Sequence, residues 1–264
     1  MTSRPRLAPA ALATVGALAL GTLVVLPVVA LVTRAPWSAA LDLLGDGANR
    51  TALRLSLVVS VWALALSVLL GFPIAWLLAR VEFPGRSLVR ALVTLPMVLP
   101  PVVGGVALLV AFGRRGLIGQ WLDRWFGVQL AYTTAAAVLA ATFVSLPFFV
   151  VTVEAALRSA DRRYEDAART LGATPGFVLR HVTLPGVRGA VGAGAALSWA
   201  RALGEFGATI TFAGSFAGRT ETLPLAISAA LGTDVRAAIL LSLVLLAVSV
   251  AVLAGLRDRW LGAP

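Results

Sequence analysis

The sequence has no cysteine and no lysine, a single histidine and few charged residues. Without cysteine the chain cannot form disulfides, thiolate metal sites or a cysteine nucleophile. Without lysine it cannot carry a nucleotide-binding P-loop, because the lysine of that loop contacts the phosphates. Any ATP hydrolysis coupled to this chain must therefore take place on another polypeptide.

Charged residues make up only 13% of the 264 residues, whereas soluble domains contain about 25%. Apolar stretches recur along the chain, each near the length of about 20 residues that a helix needs to cross a bilayer. We predict an all-α, multi-pass membrane protein with about six spans, near 7–32, 54–80, 90–114, 132–153, 187–213 and 236–257. The first stretch exceeds the apolar region of about 7–15 residues found in signal peptides, which predicts an uncleaved anchor.

The net charge is +10, and every basic side chain apart from the histidine is arginine. The arginines lie at the ends of the apolar segments, which favours membrane anchoring over binding to nucleic acid. Six spans put both termini on one side, and that side then carries thirteen arginines against eight on the other. The bias predicts a bacterial plasma-membrane protein with both termini in the cytoplasm.

Prolines interrupt the third predicted span at Pro96, Pro100 and Pro101. Each proline removes a backbone donor and bends a helix, so the run 95–105 cannot form one straight helix. Irregular backbone at membrane depth must be buried in protein or line a cavity. The run is therefore either a packing kink or part of a pathway.

A polar loop at 154–186 lies on the predicted inner side. Its first helix has one apolar stripe, formed by Leu157, Ala160, Tyr164, Ala167, Ala168 and Leu171. The opposite face carries Arg158, Asp161, Arg162, Glu165 and Arg169, and Glu165–Arg169 is a favourable i,i+4 pair. Gly172 is a C-cap, Thr174 and Pro175 begin a second helix, and that helix should stop before Pro185. The stripe either inserts into a groove on a partner or lies on lipid headgroups.

The spacing in this loop resembles a known family. Glu165, Ala167 and Ala168 are followed after three residues by Gly172, and after nine more by Val182, Leu184 and Pro185. This pattern resembles the E-A-A loop of ABC importer permeases, with Asp166 interposed and valine in place of isoleucine at 182. The resemblance implies that these seven residues form a coupling helix that docks on an ATPase subunit, within a type I importer permease fold.

The fifth predicted span contains Arg201 and Glu205, four residues apart on one helical face. Ionisable groups at membrane depth are costly and usually face a protein interior or water. The pair is either structural or part of a polar translocation path, with Gly204, Phe206, Gly207, Thr209 and Thr211 as further candidates. Because the field of Glu205 repels an anion, orienting Arg201 or packing a gate suits that side chain better than binding an anionic cargo.

Residues 201–212 resemble the molybdate branch of the permease family. The resemblance implies a homodimer, two ABC ATPase subunits that bind ATP and Mg, and an extracytoplasmic oxyanion-binding protein. The residues themselves show no catalytic constellation and no second histidine to help bind a metal, so we expect no catalytic residue, cofactor or metal on this chain, and no nucleic-acid partner. Its domains would be 1–52, an anchor span with an external loop, and 53–264, the transport domain. His181 is expected to be a surface or interface residue.

Molybdate, or the similar anion tungstate, is the expected cargo. Sulfate or thiosulfate is the alternative, because the sulfate branch shares the G-E-[FY]-G core of residues 204–207. An ATPase-independent secondary transporter or channel is an alternative from another class. Such a protein would show inverted repeats and ion-binding carboxylates at the midplane.

Overall fold

The computed structural model describes the backbone of residues 7–260 and the side chains of residues 13–252 and 254. Arg4 and Arg6, which contributed to the predicted orientation, lie outside the described residues. The described chain is helical, without strands. Its helices are α1 (Leu7–Arg34), α2 (Ala40–Gly45), α3 (Gly47–Arg80), α4 (Arg86–Val98), α5 (Pro101–Phe112), α6 (Gly119–Phe126), α7 (Thr134–Ser159), α8 (Arg163–Thr170), α9 (Pro175–Val178), α10 (Leu184–Leu203), α11 (Gly207–Phe212), α12 (Leu223–Leu231) and α13 (Val235–Trp260), with a π-turn at Leu179–Thr183.

The packing of α3 against α7 forms the centre of the molecule. Asp46 begins α3 by accepting hydrogen bonds from the backbone N–H groups of Ala48 and Asn49. Small residues line the buried side of α3 and let α7 approach closely. A Cβ at Gly71 would lie 2.7 Å from the Phe149 ring, and Ser67 Oγ lies 3.2 Å from Ser145 Oγ. Helix α10 packs against both α3 and α7.

The third predicted span is sharply bent, as its prolines indicated. Helices α4 and α5 meet at an angle of 119° across Leu99 and Pro100. The short helix α11 packs on α5. Two glycines allow this approach, because a Cβ at Gly105 would lie 2.6 Å from Thr211 Cβ and a Cβ at Gly207 would lie 2.7 Å from Pro101 Cβ.

Four helices in the described chain are long and apolar enough to cross a membrane: α1 over Ala13–Arg34, α3, α7 and α13 over Val235–Val252. The bent α4–α5 pair would make a fifth. The predicted span at 187–213 is not among them, and the chain there forms two helices, α10 and α11, in place of a single spanning helix. Arg188, Arg201 and several glycines lower the hydropathy of α10, and the helix ends at Leu203 before α11 begins.

Helix α6 is a short amphipathic segment between α5 and α7. Trp121, Trp125 and Phe126 are exposed on it, with Arg124 placed 5.3 Å from the centre of the Trp121 ring. The pKa of Asp123 lies below its usual value, mainly because Arg114 donates a hydrogen bond to its carboxylate and secondly because Gln129 does. Exposed tryptophans on a polar helix are typical of a membrane–water interface.

Candidate coupling surface and translocation segment

Helix α8 lies in the 154–186 loop, and its C-terminal end has the geometry of a Schellman motif. Gly172 has a left-handed φ of +82°, which favours glycine. The Gly172 N–H donates to the Arg169 carbonyl at 2.9 Å, and the Ala173 N–H donates to the Ala168 carbonyl at 3.0 Å. These two bonds satisfy carbonyls that the helix end would otherwise leave free. The predicted role of Gly172 as a helix cap is confirmed.

The limits of the first predicted helix differ from the structure. Helix α7 continues beyond Glu154 to Ser159, and α8 is a separate helix that begins at Arg163. Leu157 is therefore buried in the core with α7 and does not belong to the stripe of the loop. Glu154 is also buried, where Arg90 and Arg158 pair with it. The continuous periodicity of the sequence concealed the break at 160–162.

An apolar surface of this loop is open to its surroundings. Tyr164 is 72% exposed and Leu171 is 88% exposed, and Ala167 of α8 and Phe177 of α9 are exposed as well. We call these four residues the loop face. The His181 ring stacks on Phe177 with centroids 4.2 Å apart, so His181 lies next to this face. Exposed large apolar side chains in a cluster are typical of an interaction site.

Glu165 points away from the loop face, as the predicted pattern placed it, but it is buried, unlike the other charged residues of α8. Its side chain is only 9% exposed, and its Oε1 lies 2.7 Å from Arg80 Nη2 at the end of α3. Thr183 donates a further hydrogen bond of 3.0 Å to the same oxygen. The predicted contact with Arg169 exists but is long, at 3.9 Å. Sequence reasoning missed Arg80, for which the available signal was an arginine at the end of a predicted span.

The second predicted helix begins as expected and does not stop before Pro185. Thr174 Oγ1 accepts a hydrogen bond from the Phe177 N–H, with Pro175 at the first helical position. The chain then passes through the π-turn, in which the Leu184 N–H donates to the Leu179 carbonyl, and continues directly into α10. The wider turn accommodates Pro185, which lacks an N–H and would clash with the carbonyl of an α-helical turn. Val182 and Leu184 are half-buried, whereas Pro185 is exposed.

The predicted Arg201–Glu205 pair is present. Arg201 Nη2 lies 2.7 Å from Glu205 Oε2, with the Arg201 side chain 27% exposed and the Glu205 side chain 1% exposed. The other carboxylate oxygen accepts a hydrogen bond of 2.7 Å from the Ala208 N–H, at the start of α11. One carboxylate thus stabilises the end of α10 and the beginning of α11, while part of the guanidinium remains open.

The other pathway candidates separate into two groups by burial. Gly204 and Phe206 are exposed, in the connection between α10 and α11. Gly207 and Thr209 are buried, and Thr211 is half-buried. The close approaches at Gly105 and Gly207 place this second group against α5.

The Arg201–Glu205 pair can be tested by measuring unfolding. We expect Arg201→Gln to destabilise the chain by about 3–5 kcal/mol, because it leaves a buried carboxylate without its counterion. Adding Glu205→Gln should recover part of this loss, so that the double variant is more stable than Arg201→Gln alone. Thermal unfolding in detergent measures the effect, with the exposed Arg219→Gln as the control. Additive losses would contradict the pairing.

Within the described residues, no cluster of three or more histidine, aspartate or glutamate side chains is placed to hold a metal ion. Three features remain as candidate functional sites: the loop face, the buried Arg80–Glu165 pair and the Arg201–Glu205 pair. None of them has the arrangement of a nucleophile with a base.

The sequence is similar to a described protein family and to named transport proteins. The model of the family "Binding-protein-dependent transport system inner membrane component" matches residues 67–262. The Molybdenum transport system permease protein ModB of Mycobacterium tuberculosis is 49% identical over 236 residues, which cover 89% of each chain. The Sulfate transport system permease protein CysT of Escherichia coli is 42% identical over 184 residues, covering 69% of this chain and 66% of the relative.

The fold is also shared with a solved structure. A bacterial ABC transporter involved in the import of the acidic polysaccharide alginate superimposes with a TM-score of 0.69 at 16% identity, covering 94% of this chain and 92% of the other. At this identity the likeness concerns the fold alone. The family match spans well over half of the sequence and includes the 154–186 loop and the Arg201–Glu205 segment. This chain therefore belongs to the binding-protein-dependent transport system inner membrane component family.

Proposed function

We propose that this chain is the permease subunit of an ATP-driven importer of molybdate, with tungstate as a cargo of similar size and charge. The observation that carries the proposal is 49% identity to a molybdenum transport permease across 89% of both chains. Sulfate permeases are less similar, as the CysT protein of Salmonella typhimurium shows with 38% identity over 88% of this chain. Sulfate is therefore the second candidate cargo.

The proposed assembly contains two copies of this chain, two ATPase subunits and an extracytoplasmic oxyanion-binding protein. We count α10 and α11 together as a broken sixth crossing, so that both termini lie in the cytoplasm and the 154–186 loop faces the ATPase. The loop face supports this docking, because Tyr164, Ala167 and Leu171 leave an apolar surface uncovered on a short helix. ATP and Mg bind to the partner, since a chain without lysine cannot form a P-loop.

The proposed translocation path passes the connection between α10 and α11. The Arg201–Glu205 pair is asymmetric there, because the carboxylate is buried and the guanidinium is partly open. The pair therefore presents its positive end to the surroundings, which suits an oxyanion better than a cation. Gly204 and Phe206 lie beside it on the exposed side, whereas Gly207, Thr209 and Thr211 support this segment against α5.

Uptake by reconstituted vesicles tests the proposal. The permease, its companion ATPase and the binding protein should together accumulate molybdate only when ATP is supplied. Sulfate should be taken up more slowly at the same concentration. Uptake without ATP or without the ATPase would contradict the importer assignment and favour a channel or secondary transporter. Faster uptake of sulfate would leave the mechanism intact and change the cargo.

A further inference from the structure

The C-terminal end of α3 is covered by arginines from two other segments. Arg86, at the start of α4, donates from its Nε to the Leu78 carbonyl at 2.9 Å. Arg162, just before α8, donates to the Ala79 carbonyl at 3.3 Å. The last carbonyls of a helix lack partners within it and form the negative end of its dipole, so cations are favoured there. The chain that leads into α8 is thus bound directly to the end of α3.

A buried ion pair makes a second connection at the same place. The Arg80 side chain is only 6% exposed, and its Nη2 lies 2.7 Å from Glu165 Oε1. Among the described residues, no group accepts a hydrogen bond from Arg80 Nε or Nη1. The buried guanidinium therefore depends on Glu165 for its charge compensation. Removing Glu165 would leave the buried Arg80 guanidinium unpaired, and removing Arg80 would leave Glu165 with the Thr183 hydroxyl and a long contact to Arg169. Both changes are unfavourable for a buried charge.

Helix α8 has few other ways to act on the membrane helices. It packs mainly against α9 and the π-turn, which belong to its own loop. In contrast, α3 packs along its length on α7 and also contacts α10 and α12. Ser60 Oγ accepts a hydrogen bond of 2.9 Å from Trp199 of α10, and Ser56 Oγ accepts one of 2.6 Å from the Leu223 N–H at the start of α12. A displacement of the C-terminal end of α3 would therefore also move α10, which carries Arg201.

We propose that the Arg80–Glu165 pair transmits the movement of α8 to α3, and that Glu165 acts as a positioning residue within the permease instead of contacting the ATPase. The inference rests on the proposed function, because it presumes that an ATPase moves α8. It divides the E-A-A pattern into two parts. Ala167 lies on the outward surface that meets the partner, while Glu165 holds the same helix to the transmembrane domain.

The first test uses the permease alone. Because the chain has no cysteine, Thr170→Cys gives a unique site for a spin label on the exposed side of α8. Arg80→Gln and Glu165→Gln should each increase the mobility of the label. Asp166→Asn is the matched control, since this neighbouring carboxylate is 67% exposed and pairs with Arg169 at the surface. Unchanged mobility in both pair variants would overturn the proposal whether or not the chain is an importer.

The second test uses the complete transporter in vesicles. Arg80→Gln and Glu165→Gln should still bind the ATPase and hydrolyse ATP, while molybdate uptake per ATP falls by about tenfold, within the range of energetic coupling between sites. The charge exchange Arg80→Glu with Glu165→Arg should restore part of this ratio, and Asp166→Asn should leave it unchanged. If Glu165→Gln releases the ATPase while Arg80→Gln does not, Glu165 faces the partner and the proposal is wrong.

Folding of the variants separates transmission from simple stability. If the single variants fail to insert but the charge exchange inserts and transports, the direct pairing is supported. If all three fail to insert, the pair is purely structural and the transmission role is overturned. Failure of the unmodified chain to bind an ATPase or to accumulate molybdate would instead contradict the proposed function.

Discussion

Gly172→Val is expected to reduce molybdate uptake by about tenfold or more while the chain remains folded and inserted. Valine at a left-handed φ of +82° costs about 1–2 kcal/mol, which corresponds to a change of about tenfold in an equilibrium. A Cβ at this position meets no other atom within 4 Å, so the core is not disturbed. The strain falls on the end of α8, beside the highly exposed Leu171. Uptake by vesicles and the affinity for the ATPase measure the effect.

Two controls separate the possible causes of this loss. Gly172→Asn has a similar bulk, but asparagine tolerates the left-handed region. Gly176→Ala places a side chain at a nearby open position where φ is not positive. Loss of uptake with valine alone would identify backbone strain, and loss with both valine and asparagine would identify a close contact with the partner. Normal uptake with Gly172→Val would contradict the coupling role of this helix end.

The parts of the loop that depend on local chemistry followed from the sequence. The left-handed turn at Gly172 and the cap at Thr174 are confirmed, because each involves residues within a few positions of one another. The partner of Glu165 could not be predicted in this way. Arg80 lies 85 residues away along the chain, and periodicity shows which residues share a helical face without showing what that face meets.

Two corrections arise where a local rule meets a tertiary constraint. Pro185 was expected to end a helix. The wider π-turn at Leu179–Thr183 makes room for the proline, which has no N–H to donate, and the helix continues. A span was predicted at 187–213, but the helix ends before Gly204, and the Glu205 carboxylate accepts a hydrogen bond from the Ala208 N–H at the start of the next helix. The sequence shows that Arg201 and Glu205 can pair, but it does not show that the other oxygen of the carboxylate accepts a hydrogen bond from the next helix.

The loop face and the α10–α11 connection are the two surfaces through which the permease would meet its ATPase and its cargo. Both are held by buried carboxylates, Glu165 in one case and Glu205 in the other, each paired with an arginine. A buried pair fixes position more strictly than a surface pair, because a misplaced charge cannot turn to solvent. The exposed residues at both surfaces are in turn positioned by side chains that a partner would not touch.

The support behind the α10–α11 connection can be tested at Gly105. An alanine in a helix interior is normally favoured over glycine by about 0.5–1 kcal/mol. At Gly105 of α5 the added Cβ would lie 2.6 Å from Thr211 Cβ and 2.9 Å from the Ala208 carbonyl oxygen. A backbone oxygen cannot rotate away, so α11 must shift, and such overpacking costs about 1–3 kcal/mol. We therefore expect Gly105→Ala to lower the thermal stability in detergent and to impair uptake.

Gly192→Ala is the matched control for Gly105→Ala, because Gly192 also lies inside a helix and a Cβ there meets no atom within 4 Å. In a single chain this control should be neutral or slightly stabilising, with the sign that helix propensity alone gives. If Gly105→Ala lowers the thermal stability while Gly192→Ala maintains or raises it, the close approach of α11 to α5 outweighs helix propensity at Gly105. If Gly105→Ala is as stable as Gly192→Ala, α11 does not press on α5, and the α10–α11 connection lacks the rigid support that a defined path for an oxyanion requires.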